Sequence, residues 1–171
     1  MVTEQTLATG ESAMTATIHT RRSLLLGAGA CGVVLAVPAQ ARTGFEPTRT
    51  MRGGSNNYRP GAPLVADLGT GFVMHGTVLK AGTGEPLPDI RIQIWAATPR
   101  GGEREPSNHG SVLTAADGSY RLEMAQIVPN FGQPHGHLAY DDGDFRTVFL
   151  RPVMASRSDT SLEADFVLAP A

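Results

Sequence analysis

Residues 89–97 constrain the fold most: Ile90, Ile92 and Ile94 fall on one side of an extended chain, and Arg91, Gln93 and Trp95 on the other. Strict alternation is the period of a β-strand, and three β-branched residues on one side supply an apolar face to bury. The preceding segment 80–88 holds Gly82, Gly84, Pro86 and Pro88, a turn that no helix would survive. Short β-type runs and turn residues keep alternating to residue 168, with strands expected at 72–79, 89–97, 111–114, 119–124, 133–139, 145–150 and 162–168. Asp117-Gly118 supplies the backbone freedom of a hairpin turn, and 99–108, broken by Gly101-Gly102 and Pro106, reads as a loop. Short strands at turn-limited spacing, with no amphipathic helix among them, predict an all-β domain over residues 71–171, an antiparallel two-sheet β-sandwich. The strand at 89–97 is expected to be half-buried, its isoleucines inward.

Upstream, the composition changes twice. Arg21-Arg22 stands ahead of the apolar run 24–37, and Ala39-Gln40-Ala41 ends it, so residues 1–41 have the basic, apolar and small-residue parts of a signal peptide. The paired arginines resemble a twin-arginine export signal. An apolar run of about 14 residues is short of the ~20 that a spanning helix needs. Cleavage after Ala41 is expected to leave about 130 residues, enough for one core, in a periplasmic or extracellular location. The single cysteine, Cys31, falls inside the signal segment, so the exported chain has no disulfide to rest on. Residues 42–70, rich in Gly, Pro, Asn and Arg, read as an irregular arm that packs along an edge or reaches a second subunit of an oligomer.

Charge narrows the partners. The net charge is −2, and no basic run exists beyond the signal, which argues against nucleic acid. No stretch after Ala41 is long or apolar enough to enter a bilayer.

The candidate chemistry centres on His135-Gly136-His137. On a strand, side chains two apart share a face about 7 Å apart at the backbone, from which two imidazoles can address one metal ion. His135 and His137 are therefore the candidate metal ligands. His109 and Glu103, in the loop after Trp95, are candidates for a further ligand, Glu103 completing a two-histidine, one-carboxylate set suited to ferrous iron or zinc. Tyr120 is expected in the core, Tyr140 on the face opposite His137, and His75 in a structural role on the first strand. Tyr58 can reach a site only if the arm folds back or crosses to a partner. No Ser-His-Asp order, nucleophilic cysteine or phosphate-cradling loop competes.

Gly76-Thr77-Val78-Leu79, Gly84 to Asp89, Ile92-Gln93-Ile94-Trp95, Leu113 to Tyr120, Pro134-His135-Gly136-His137-Leu138 and Asp165-Phe166-Val167-Leu168 stand in an order that resembles the intradiol ring-cleavage dioxygenases of catechol and protocatechuate type. The resemblance covers nearly all of residues 71–168. It implies a non-haem ferric iron (Fe3+) site of two tyrosinates and two histidines, an oxidoreductase incorporating molecular oxygen, a small catechol-type substrate and a place in aromatic-compound catabolism. His135 and His137 match the histidine pair. The tyrosines do not carry over: Glu103-Arg104 stand at the first position, and residues 127–131, ending in Phe131, at the second. Gln133 stands nearest to the position of an arginine that commonly precedes the histidines. The turn and strand elements alone also resemble carboxypeptidase-regulatory and transthyretin-like sandwiches, so the alternative function is a non-catalytic binding module.

Overall fold

The computed structural model describes residues 44–171. The expected signal segment and the expected cleavage point after Ala41 lie outside the described residues. Among the described residues are nine strands: β1 (Asp67–Leu68), β2 (Gly71–Lys80), β3 (Arg91–Ala96), β4 (His109–Leu113), β5 (Ser119–Ala125), β6 (Gly136–Tyr140), β7 (Val148–Leu150), β8 (Ser161–Glu163) and β9 (Phe166–Leu168), with a 3-10 turn at Pro106–Asn108. They form the expected two-sheet sandwich. One sheet runs β1-β5-β2-β8, with β9 also on β2; the other runs β4-β3-β6-β7. No helix of the described residues is long and apolar enough to cross a membrane.

Antiparallel ladders make the body of both sheets, β2 with β5 in one and β4, β3, β6 and β7 in the other. The edges add parallel pairs: β1 along β5, and β8 then β9 along β2. The strand expected at 162–168 is therefore two short strands, broken at Ala164-Asp165. At the break the Asp165 carboxylate accepts from the Thr77 backbone N–H (2.7 Å) and hydroxyl (3.0 Å), doing the work of a backbone rung. Gly76 faces inward here. A Cβ on it would lie 2.0 Å from the Ala164 carbonyl oxygen, which also accepts the Tyr120 hydroxyl, so only glycine fits.

The core lies between the sheets. Phe72, Met74 and Val78 of β2 and Leu122 and Met124 of β5 meet Ile92 and Ile94 of β3, Leu138 and Tyr140 of β6, and Phe166 and Leu168 of β9. Ile92 and Ile94 are fully buried and Ile90, just before β3, packs partly buried against the same core. Each fully buried side chain of this size contributes about 1.5–3 kcal/mol.

One expectation about β3 fails. Gln93 and Trp95 are each 1% exposed, so the strand is buried on both faces. The outer face is covered by the arm, which folds back over it: the Trp95 indole N–H donates to Asn56 O (3.0 Å), and Gln93 Oε1 accepts from Ala62 N (3.1 Å). Gln93 Nε2 reaches Tyr58 Oη (3.1 Å) and Asp141 Oδ1 (2.6 Å). Polar residues alternating with isoleucine imitate a wet face; here their polar groups hold down a covering segment instead.

Candidate metal centre

Sheet register builds the site's floor. Trp95 pairs with His109 on β4 and with His137 on β6, so three side chains stand in a row across adjacent strands. The indole stacks on both imidazoles, 5.7 Å from His109 at 7° and 5.1 Å from His137 at 9°. β6 begins at Gly136, later than the expected start at 133. His135 nevertheless stays extended, bridging to Val153, while Gly136 N donates to Pro152 O and Met154 N to Pro134 O. The rings of His135 and His137 therefore share a face, with centroids 5.0 Å apart.

Both imidazoles are held from behind by carbonyl oxygens. His135 Nδ1 donates to Gln133 O (2.8 Å) and His137 Nδ1 to Gly54 O (3.0 Å). Gly54 gets that close because it lacks a side chain: a Cβ would lie 2.7 Å from Phe149 O. Both Nε2 atoms then face one carboxylate, His135 at 2.9 Å from Glu103 Oε1 and His137 at 3.4 Å from Glu103 Oε2. The three donor atoms lie within 4.8 Å of one another, a grouping that could hold a metal ion.

Glu103 arrives from the loop between β3 and β4. A tight turn closes Thr98 on Gly101 by two backbone hydrogen bonds of 3.0 Å, and the Asn108 amide donates to the carbonyls of Gly101 and Gly102. His109 Nε2 then donates to Glu103 O (2.7 Å), pinning the residue itself. The amides of Asn130 and Asn57 donate to Oε1 and Oε2, each at 2.8 Å. Glu103 is 5% exposed, which by itself would raise its carboxyl; the Asn130 hydrogen bond, the His137 and His135 imidazoles and the Asn57 hydrogen bond outweigh burial and hold it below the usual carboxylate range. Burial pushes the His137 imidazole down, outweighing the Gly54 hydrogen bond and the Glu103 carboxylate, which act to raise it.

A pocket of about 290 Å³ opens beside Glu103, bounded by Asn57, Gly102, Arg104, Asn130 and Phe131. Phe131, 94% exposed and at φ +51°, stands at its rim. A larger concavity, about 620 Å³, lies against His75 on the first sheet and includes none of the cluster.

The other candidates go elsewhere. His109 is a buried strand residue rather than a loop ligand, its Nε2 spent on the Glu103 carbonyl. Glu103 is buried, not an exposed loop carboxylate. Tyr58 does fold back with the arm, but its hydroxyl meets Gln93, on the side of Trp95 away from His135. The Tyr120 hydroxyl goes to Ala164 O and Tyr140 Oη accepts from Phe145 N, both as core residues. With every described phenol engaged away from the histidines, the tyrosinate-held ferric ion that the resemblance implies does not fit these residues. Gln133 contributes only its carbonyl, and the arginine beside the histidines is Arg151, its guanidinium 3.4 Å from His135 Nδ1. Asn57 and Asn130 carried no sequence signal, since asparagine among Gly and Pro reads as a turn residue.

No family model and no curated protein sequence matches the chain. Solved structures do match in fold. The dioxygenase domain of a dioxygenase carbohydrate-binding protein fusion from Streptomyces sp. SirexAA-E aligns with a TM-score of 0.56 at 19% identity, over 74% of this chain and all of that one. Hydroxyquinol 1,2-dioxygenase from Pseudomonas putida DLL-E4 aligns at 0.54 and 15% identity, over 76% and 69% of the two chains. Chlorocatechol 1,2-dioxygenase from Pseudomonas putida aligns at 0.51 and 18% identity, over 66% and 68%. The shared property is the intradiol dioxygenase-like sandwich.

Proposed function

We propose that this chain is an exported, metal-dependent protein of the intradiol dioxygenase fold that acts on small catechol-type aromatics. The observation that carries the reading is the convergence of His135 Nε2, His137 Nε2 and the two Glu103 oxygens beside a pocket, within a sandwich shared with dioxygenases of catechols and hydroxyquinol. A solitary histidine pair on a strand would need no such support; this pair is oriented by two carbonyls, a stacked indole and a buried acid.

The protein's own residues suit a small planar ligand. Phe131 offers a ring face at the rim, Asn57 and Asn130 place polar amides on the walls, and Arg104 places a cation at the mouth. Export is part of this reading on the strength of the Arg21-Arg22 pair ahead of an apolar run, and the twin-arginine route carries proteins already folded, with or without a cofactor.

The test is oxygen uptake by metal-loaded protein supplied with catechol, chlorocatechol and hydroxyquinol, followed by absorbance for the ring-opened diacid. One oxygen consumed per ring opened, abolished by His135→Ala or His137→Ala, is the expected result. Saturable binding of these aromatics without oxygen uptake would leave a binding module in place of an enzyme.

A further inference from the structure

We infer that His135, His137 and Glu103 form a two-histidine, one-carboxylate site for a divalent transition-metal cation, with Glu103 as the third ligand. The inference rests on the metal-dependent reading above for its place in the function, but its evidence is the hydrogen-bond pattern.

Each imidazole has one proton to place. Nδ1 of His135 and of His137 lies against a carbonyl oxygen, which can only accept, at 2.8 and 3.0 Å. The Arg151 guanidinium, a donor, stands farther from His135 Nδ1 at 3.4 Å, so the carbonyl sets the tautomer, the proton sits on Nδ1 and each Nε2 presents a lone pair. The Glu103 orientation is fixed by a similar chain. Arg104 Nε can only donate, and it donates to Asn57 Oδ1 (3.0 Å), which turns the Asn57 amide N–H toward Glu103 Oε2. Both carboxylate oxygens thus accept amide hydrogen bonds and keep lone pairs toward the histidines. Lone pairs face lone pairs at 2.9 and 3.4 Å, an arrangement that repels unless a cation stands among them.

One proton does not resolve it. Placed between His135 and Glu103 it satisfies the shorter contact and leaves His137 Nε2 buried without any hydrogen-bond partner, as that atom now stands. Leaving a buried polar group unsatisfied costs about 1–3 kcal/mol. A metal ion satisfies both nitrogens and the carboxylate at once.

The donor set selects the charge. Two neutral imidazoles and one carboxylate supply a single negative charge, which suits a dication of the ferrous, cobalt or zinc class, whereas ferric ion calls for more hard anionic oxygen. Three protein donors leave coordination positions open, and the pocket lies beside Glu103.

The test uses Trp95, the only tryptophan, stacked on His137. Protein stripped with chelator is titrated with Co2+ and Zn2+, reading Trp95 fluorescence and the visible bands of cobalt. One ion per chain is expected, and Glu103→Gln should weaken Co2+ affinity by about 100-fold or more, with Asn130→Ala weakening it by about 10-fold. Glu105→Gln, an exposed neighbour, should change nothing. Circular dichroism of each variant confirms folding, and X-ray absorption of the zinc-loaded wild type counts two imidazoles without any substitution. Wild-type Co2+ affinity in folded Glu103→Gln, or a ferric form with intense tyrosinate-to-iron absorption, overturns the inference. Failure of oxygen uptake with the three-ligand site intact would instead remove the catechol reading alone.

Discussion

His137 shows how much one residue here depends on others. Its ring is stacked on Trp95, its Nδ1 is tied to Gly54, and its Nε2 faces Glu103. Gly54→Ala should therefore act at a distance from the metal. The added Cβ meets the Phe149 backbone, so the arm must lift, costing about 1–3 kcal/mol of stability. It should also weaken metal binding by about 10-fold through the lost orientation of His137; a urea melt and a cobalt titration on the same variant check both. Acid supplies a second prediction. Burial pushes both His109 and His137 below the ordinary value of 6.5, so the unfolded chain takes up protons that the folded chain refuses. Their contribution to stability is present above about pH 6.5 and is lost as pH falls below it. The melting temperature of metal-free protein should drop through that window, less steeply in His109→Gln.

At the scale of elements, β3 and its neighbours matter most, because one face of this strand builds the core and the other the site. Ile94→Ala should cost about 2–5 kcal/mol, since Ile94 is fully buried between the sheets. The same substitution should leave metal affinity within a few-fold in whatever fraction stays folded, because Ile94 points away from Trp95. Loss of metal binding out of proportion to stability would show that the two faces are not separable. The break between β8 and β9 is a smaller device. Asp165→Ala removes two hydrogen bonds to Thr77 and should cost about 1–2 kcal/mol, measured by denaturant melting, with no effect on the metal.

Across the whole described domain, the arm ahead of the first strand serves as a cover. It hands Asn56, Tyr58 and Ala62 to the outer face of β3, and Gly54 to His137. Removing residues 44–62 should expose Trp95, shift its emission to longer wavelength and abolish metal binding. Export belongs to the same scale. Arg21-Arg22 replaced by Lys-Lys should reduce secretion, and the intact mass of secreted protein should place the new N-terminus at Arg42.

Alternation of Ile90, Ile92 and Ile94, and turns rich in Gly and Pro, determined from sequence alone that the chain is a β-sandwich, because the period of a strand and the intolerance of helix for Pro are local properties. The His135/His137 spacing likewise put two imidazoles on one face before any fold was considered, and left Glu103 and His109 as candidates for a further ligand. Only the tertiary structure decided between Glu103 and His109. That choice turns on which way a loop closes, and the closing bonds, from His109, Asn57, Asn108 and Asn130, join residues up to 46 apart in the chain. The burial of Trp95 and Gln93 was illegible for a related reason. A polar face hydrogen-bonded to a covering segment has the same residue pattern as one hydrogen-bonded to water, and nothing within a strand distinguishes the two partners.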